Sequence, residues 1–270
     1  MSKTFNPEHY FLLGLAPKFH RSLAQNMTIC LQAELLQSVV NAPSRSVFIS
    51  FQNEMTNALL AASLQAKRQS RFEDLVTIEP PRSGIVPPLF GWFETVIGVG
   101  LGYRWLPVEE FLAVLTDDDA TDRFIGGVVD MESETVVLVR GNLQSVVLTF
   151  PFFEPSGNGV RPNFHELFFT DYGCSVGFGD YEASADGILY EVDSNYRRRL
   201  NKARTRSEQS FGASLRRLRL QRQLNRHDFP GIASKTIARL ERNEIAKPRG
   251  STLEAIAQRL GVSTDQIEEF

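Results

Sequence analysis

SKTIARLERNEIAKPRG, residues 234–250, places five Lys or Arg around an apolar pair, Ile237 and Leu240. That spacing predicts a short helix beginning near Ser234, with one side in a core and a cationic side outside. Whether the cationic side enters a DNA groove or only meets solvent decides how the whole chain is read. The flanks argue for a small all-helical domain. Upstream, Phe211, Leu215 and Leu218 recur at helical spacing among Arg216, Arg217, Arg219 and Arg222. Downstream, Leu253, Ile256, Ala257 and Leu260 form a further stripe, which Gly261 is placed to end as a left-handed cap. Ser251 and Glu254 have the spacing of a capping box at its start.

The blocks LRRLRLQRQLNRHDF, GIASKTIARLERNE and STLEAIAQRLGVSTDQI, in this order, resemble the phage-repressor (lambda-repressor-like, Xre-type) helix-turn-helix family. The resemblance covers about 60 of the 270 residues. It implies a transcriptional regulator whose recognition helix starts near Ser234 and which works on double-stranded DNA as a homodimer, with half-sites roughly 34 Å apart. It makes Ser234, Lys235 and Arg239 the candidates for base contact. Arg or Lys can donate to guanine O6 and N7. Asn225 resembles a helix cap followed by Arg226, where amides and a guanidinium can hold a phosphate. Arg242, Lys247 and Arg249 are the remaining candidates for phosphate contact. Glu241 and Arg219 match positions that pair in some members of the family, and are read as a structural ion pair. Two departures stand out: NRHDFPG leaves scarcely one turn for the second helix, and Gln223 occupies a turn position where the family prefers glycine.

The charge distribution agrees with a basic C-terminal module. Residues 1–195 hold 12 Lys and Arg against 24 Asp and Glu, a net of -12, whereas 196–260 hold 17 against 5, a net of +12. With the last ten residues at -3, the total returns to -3. Segregation of this kind marks domains with different partners. The acidic N-terminal part leaves a protein partner open. An antitoxin-like interaction module with autoregulatory DNA binding is the alternative reading, and a ligand sensor or enzyme fused to the DNA-binding domain is a third.

The remaining sequence is read as α+β. Phe19, Leu23, Met27, Cys30 and Leu31 recur at helical spacing, Val47, Ile49 and Phe51 alternate as in a strand, and 53–67 predicts a second helix. The stretch from Pro80 to Gly102 is rich in Pro and Gly and predicts a surface wrap or a link between lobes. GGVVDMESETVVLVRGNLQSVVLTFPFF, broken at ESE and RGN, predicts a three-stranded meander. HELFFT and SVGFG should extend that sheet, and EASADGILYEV should close it with a helix. Residues 125–193 resemble a small bacterial domain encoded near toxin-antitoxin loci, which implies interaction or regulation. The expected domains are therefore 1–124, 125–195, a basic linker or helix extension 196–210, and the helix-turn-helix domain 211–270.

Enzymatic motifs are thin. GVGLGY lacks the GxGxxG order, His165-Glu166 lacks a second histidine, and Asp117, Asp118, Asp119 and Asp122 read as a solvated helix end. Cys30 and Cys174 suggest neither a disulfide framework nor a zinc site. The sequence thus leads to no catalytic residue, metal or cofactor. With no apolar run of membrane-spanning length and no secretory leader, it leads to a cytoplasmic protein with no membrane partner, and the resemblance to the phage-repressor family implies a bacterial one.

Overall fold

The computed structural model describes residues 9–66, 70–155, 157, 159–208, 210–242, 244–245, 248–264 and 267. The chain is mixed α and β, with several sheets, and divides into two compact units, Met1–Leu189 and Tyr190–Phe270. The break expected at 124/125 falls inside the first unit.

The first unit opens with strands β1 (His9–Leu13) and β2 (Met27–Cys30), then helix α1 (Leu35–Asn41), β3 (Ser46–Ser50), α2 (Asn53–Gln65), β4 (Phe72–Thr77), α3 (Val86–Leu89) and β5 (Phe93–Ile97). These five strands are all parallel, in the order β2-β1-β3-β4-β5. Every residue of β3 is buried, as expected for a parallel strand covered on both faces. A row of phenylalanines crosses the sheet: Phe11 stacks on Phe48 at 4.8 Å between centroids, Phe48 tilts on Phe72 at 4.8 Å, and Phe72 lies 5.6 Å from Phe93. Leu35 and Val39 of α1 and Met55 and Leu59 of α2 belong to the same core.

Two sequence expectations fail here. Helical spacing from Phe19 to Leu31 is instead a 3-10 turn, Pro17–Ser22, followed by β2, because Met27 to Cys30 gain a full set of partners on β1. The Pro- and Gly-rich stretch is not merely a wrap, since it contains the edge strand β5.

Strand β6 (Arg104–Trp105) and helix α4 (Val108–Leu115) precede the meander β7 (Phe124–Asp130), β8 (Thr135–Arg140) and β9 (Ser145–Thr149), which forms an antiparallel sheet in the order β6-β7-β8-β9. Its first turn is made by Asp130, whose carboxylate accepts from the Glu132 amide at 2.9 Å and the Ser133 hydroxyl at 2.6 Å. The pieces expected to extend this sheet form a sheet of their own, β10 (Leu167–Thr170), β11 (Ser175–Phe178) and β12 (Tyr181–Ser184). Helix α5 (Ala185–Val192) follows, as expected, and the division between the units lies within it.

The second unit is helical among its described residues: α6 (Ser194–Glu208), α7 (Phe211–Gln221), α8 (Ser234–Glu241) and α9 (Gly250–Leu260). Of the two forms expected for 196–210, a basic linker or a helix extension, the chain takes the helical one through Glu208. Leu215, Leu218, Phe229, Ile237, Leu240, Leu253, Ile256, Leu260 and Ile267 form one core. Ser210 caps α7 by accepting from the Ala213 amide at 3.2 Å. Gly261 ends α9 with φ 67°, the left-handed conformation its position implied. The N-cap of α9 is Arg249, so Ser251 lies inside the helix and makes no capping box. No described helix is long and apolar enough to cross a membrane.

Candidate nucleic-acid interface

The sequence allots α8 two roles, and its burial separates them. Ile237 and Leu240 are fully buried, while Ser234, Lys235 and Arg239 are exposed. The turn after α7 contains Gln223 at φ 55°, the left-handed conformation normally left to glycine. Between Arg222 and Ala233 the chain forms turns and no helix. The second helix is therefore absent, not merely short, because Pro230 and Gly231 follow too closely on the turn. Asn225 consequently caps nothing. Its amide donates to the Asp228 carboxylate at 2.6 Å, and its carbonyl accepts from the Asp228 amide at 3.1 Å, closing a tight turn.

This loop is held by a buried charge cluster as well as by packing. Glu241, at the end of α8, has a side chain only 1% exposed; its Oε1 accepts from Arg219 Nε at 2.5 Å and its Oε2 from Arg226 Nε at 2.8 Å. Arg219 Nη1 also donates to the Leu224 carbonyl at 2.7 Å, so one guanidinium ties α7, the loop and α8 together. Arg259 of α9 donates to the Asp228 carbonyl at 2.7 Å, and Phe229 seats the loop in the core. Burial by itself pushes the Glu241 carboxyl up, but the hydrogen bonds and charges of Arg219 and Arg226 outweigh it and hold the group below its ordinary range. The expected Arg219–Glu241 pair is present. Arg226, picked out as a phosphate contact, is the third member of this cluster, with its side chain 45% exposed.

On the exposed side, Glu244 lies between two of the candidate cations. Its carboxylate is 3.3 Å from Arg239 Nε and 2.6 Å from Arg242 Nε, and these bonds hold it below its ordinary range. Sequence spacing had not singled out Glu244 or Arg259, since both act through a loop conformation that no periodicity encodes. Lys235 and Arg249 are exposed, and Lys247 lies outside the described residues. Ser234, Lys235 and Arg239 thus share one short helix, with Arg242 at its end.

The first unit offers less chemistry. Asp117 faces Arg123 at 3.2 Å and Asp122 faces Arg140 at 3.5 Å, while Asp118 and Asp119 are exposed. Gly98 has φ 86° and sits where a Cβ would run into the Thr77 carbonyl oxygen, which gives the first glycine of GVGLGY a packing reason. A pocket of about 350 Å³ is lined by Tyr10, Asn26, Thr116, Asp118, Thr121 and Asn142 among others, and the Thr121 hydroxyl donates to the Asp122 carboxylate at 3.2 Å. Among the described residues, no three His, Cys, Asp or Glu are grouped to hold a metal. No family model, curated protein or solved structure matches the chain.

Proposed function

We propose that this chain is a sequence-specific DNA-binding transcriptional regulator of the phage-repressor helix-turn-helix type, with α8 as the element that enters the major groove. The observation that carries the reading is the division of α8 itself: Ile237 and Leu240 in the core, Glu241 locked to two arginines, and Ser234, Lys235 and Arg239 outside. A helix fixed on one side and cationic on the other suits a groove that displays hydrogen-bond acceptors. Arg242 and Arg249 grip phosphates beside it, and two copies read two half-sites. Glu244 is the counterion that Arg239 and Arg242 exchange for DNA.

Selection of bound fragments from a random duplex pool, at near-physiological salt, tests this. The full-length protein should enrich a motif, and the Lys235→Ala, Arg239→Ala double variant should lose it. Arg239→Ala alone should cost about 1 to 3 kcal/mol of base discrimination, while Arg249→Ala should weaken binding evenly across sequences. Absence of any enriched motif with the unaltered protein would refute the reading.

A further inference from the structure

We propose that α6 is a second nucleic-acid element: a helix whose cationic side lies along the phosphate backbone and supplies affinity without sequence preference. The proposal rests on the reading of the second unit as DNA-binding, and it goes beyond α8 in place and in kind. Sequence alone made this stretch a connector. It is a helix of 15 residues that carries Arg197, Arg198, Arg199, Lys202, Arg204 and Arg206, with no acidic residue before Glu208. At 3.6 residues per turn, positions 198 and 202 form one row, flanked by 199. Arg198, Arg199 and Lys202 are exposed.

The internal contacts of α6 sort its cations. Arg197 turns away to cap the preceding helix, donating to the carbonyls of Tyr190 at 2.7 Å and Glu191 at 2.6 Å. Arg198 bonds the neutral amide oxygen of Asn195 at 3.2 Å, and the Arg199 guanidinium stands 5.5 Å from the centre of the Tyr196 ring. Tyr196 itself is buried and anchors the start of the helix. Like charges one turn apart weaken a helix, and a row of phosphates relieves that repulsion. From position 198 to 202 the described part of the row is about 6 Å long, enough to face a few charges of a duplex that carries one per roughly 1.7 Å of axis.

Duplex backbone is the partner these residues favour over a lipid surface. A helix that lies on a membrane buries a broad apolar side of Trp, Phe or Leu between its cations. The large apolar residues of α6 are Tyr196, already buried, and Leu200, 36% exposed.

The test uses full-length protein and a 30-base-pair duplex of random sequence, with affinity measured across a series of KCl concentrations. Arg198→Gln, Arg199→Gln, Lys202→Gln combined should flatten the dependence of log affinity on log salt by about 2 to 3 units, near 0.9 per lost phosphate contact, and weaken binding at least tenfold at low salt. Helicity should persist, since Gln forms helix about as well as Arg and Lys. In the unaltered protein, the duplex should shield Lys202 from acetylation by an amine reagent, a readout that needs no variant to fold. An unchanged slope, or Lys202 left reactive, overturns the proposal. So does loss of binding only to phosphatidylserine vesicles with duplex binding intact, which would make the helix a membrane-surface element. Failure of α6 leaves motif enrichment by α8 standing. A lost slope in the α6 variant, with no enriched motif for any protein, would keep α6 and remove the sequence-reading role of α8.

Discussion

The two units solve the same problem, holding charged side chains on a folded chain, in opposite ways. In the first, hydrocarbon specifies the structure: four phenylalanines cross a parallel sheet, and acidic side chains such as Asp117, Asp122 and Asp130 are used for local turns and ion pairs. In the second, a small apolar core is completed by one buried carboxylate between two arginines, while further cations stay outside. The lesson is that the second unit divides its charge between its own fold, at Arg219, Arg226 and Glu241, and an exposed cationic surface at Lys235 and Arg239, the part we propose meets DNA.

The sharpest way to break this contrast is Phe48→Ala. It removes the ring that touches Phe11, Phe72 and Phe93, and should cost about 3 to 5 kcal/mol. Urea unfolding followed with limited proteolysis should show the first unit lost and fragments of the second still protected. Concerted loss of both units would deny that they are separately stable.

Glu241→Gln comes next. It leaves Arg219 with its charge unmatched in a nearly buried site, and should destabilise the second unit by about 3 kcal/mol. The pH dependence has a definite sign. Because the folded Glu241 carboxyl lies below its ordinary value, its contribution is complete above about pH 4.3, its unfolded value, and disappears as pH falls through the folded one. Acid titration should unfold the native second unit over that range, and the Gln variant should have lost this component. An identical acid profile in the two proteins would show that the triad does not set stability.

The smallest expected effect is at the turn. Gln223→Gly removes a left-handed non-glycine residue and should stabilise the second unit by on the order of 1 kcal/mol, or a few degrees in Tm. A loss of stability would mean that the Gln223 side chain contributes more than its backbone costs.

Legibility in the sequence followed the same divide. Helices α7, α8 and α9 and the Gly261 cap were readable because helical spacing and caps are local signals, whereas the left-handed Gln223 and the Arg219–Glu241 pair were expected only from the resemblance to the helix-turn-helix family. The meander was readable from its turns. Strands β2 and β5 were not, since a four- or five-residue parallel strand carries no reliable alternation, and MTIC fits helical spacing until its partner on β1 is known. Nor does HELFFT announce that it pairs with SVGF in a separate sheet, because that choice is made by distant contacts. At the candidate interface, the cations of α8 were legible and the loop that replaces the second helix was not. Its geometry depends on Asp228, Arg259 and Glu241 meeting across the fold.

That replacement has an evolutionary side. A helix that seats its neighbour through a whole apolar face tolerates many single changes, each eroding the contact a little. Here the loop meets α8 through the single ring of Phe229 and through one carboxylate, Glu241, gripped by Arg219 and Arg226. Such a joint requires few residues to arise, and a single nucleotide change in the Glu241 codon undoes it. Variation among descendants of this chain should therefore be abrupt at three charged positions and at Phe229, and lenient at the exposed positions of the loop between them.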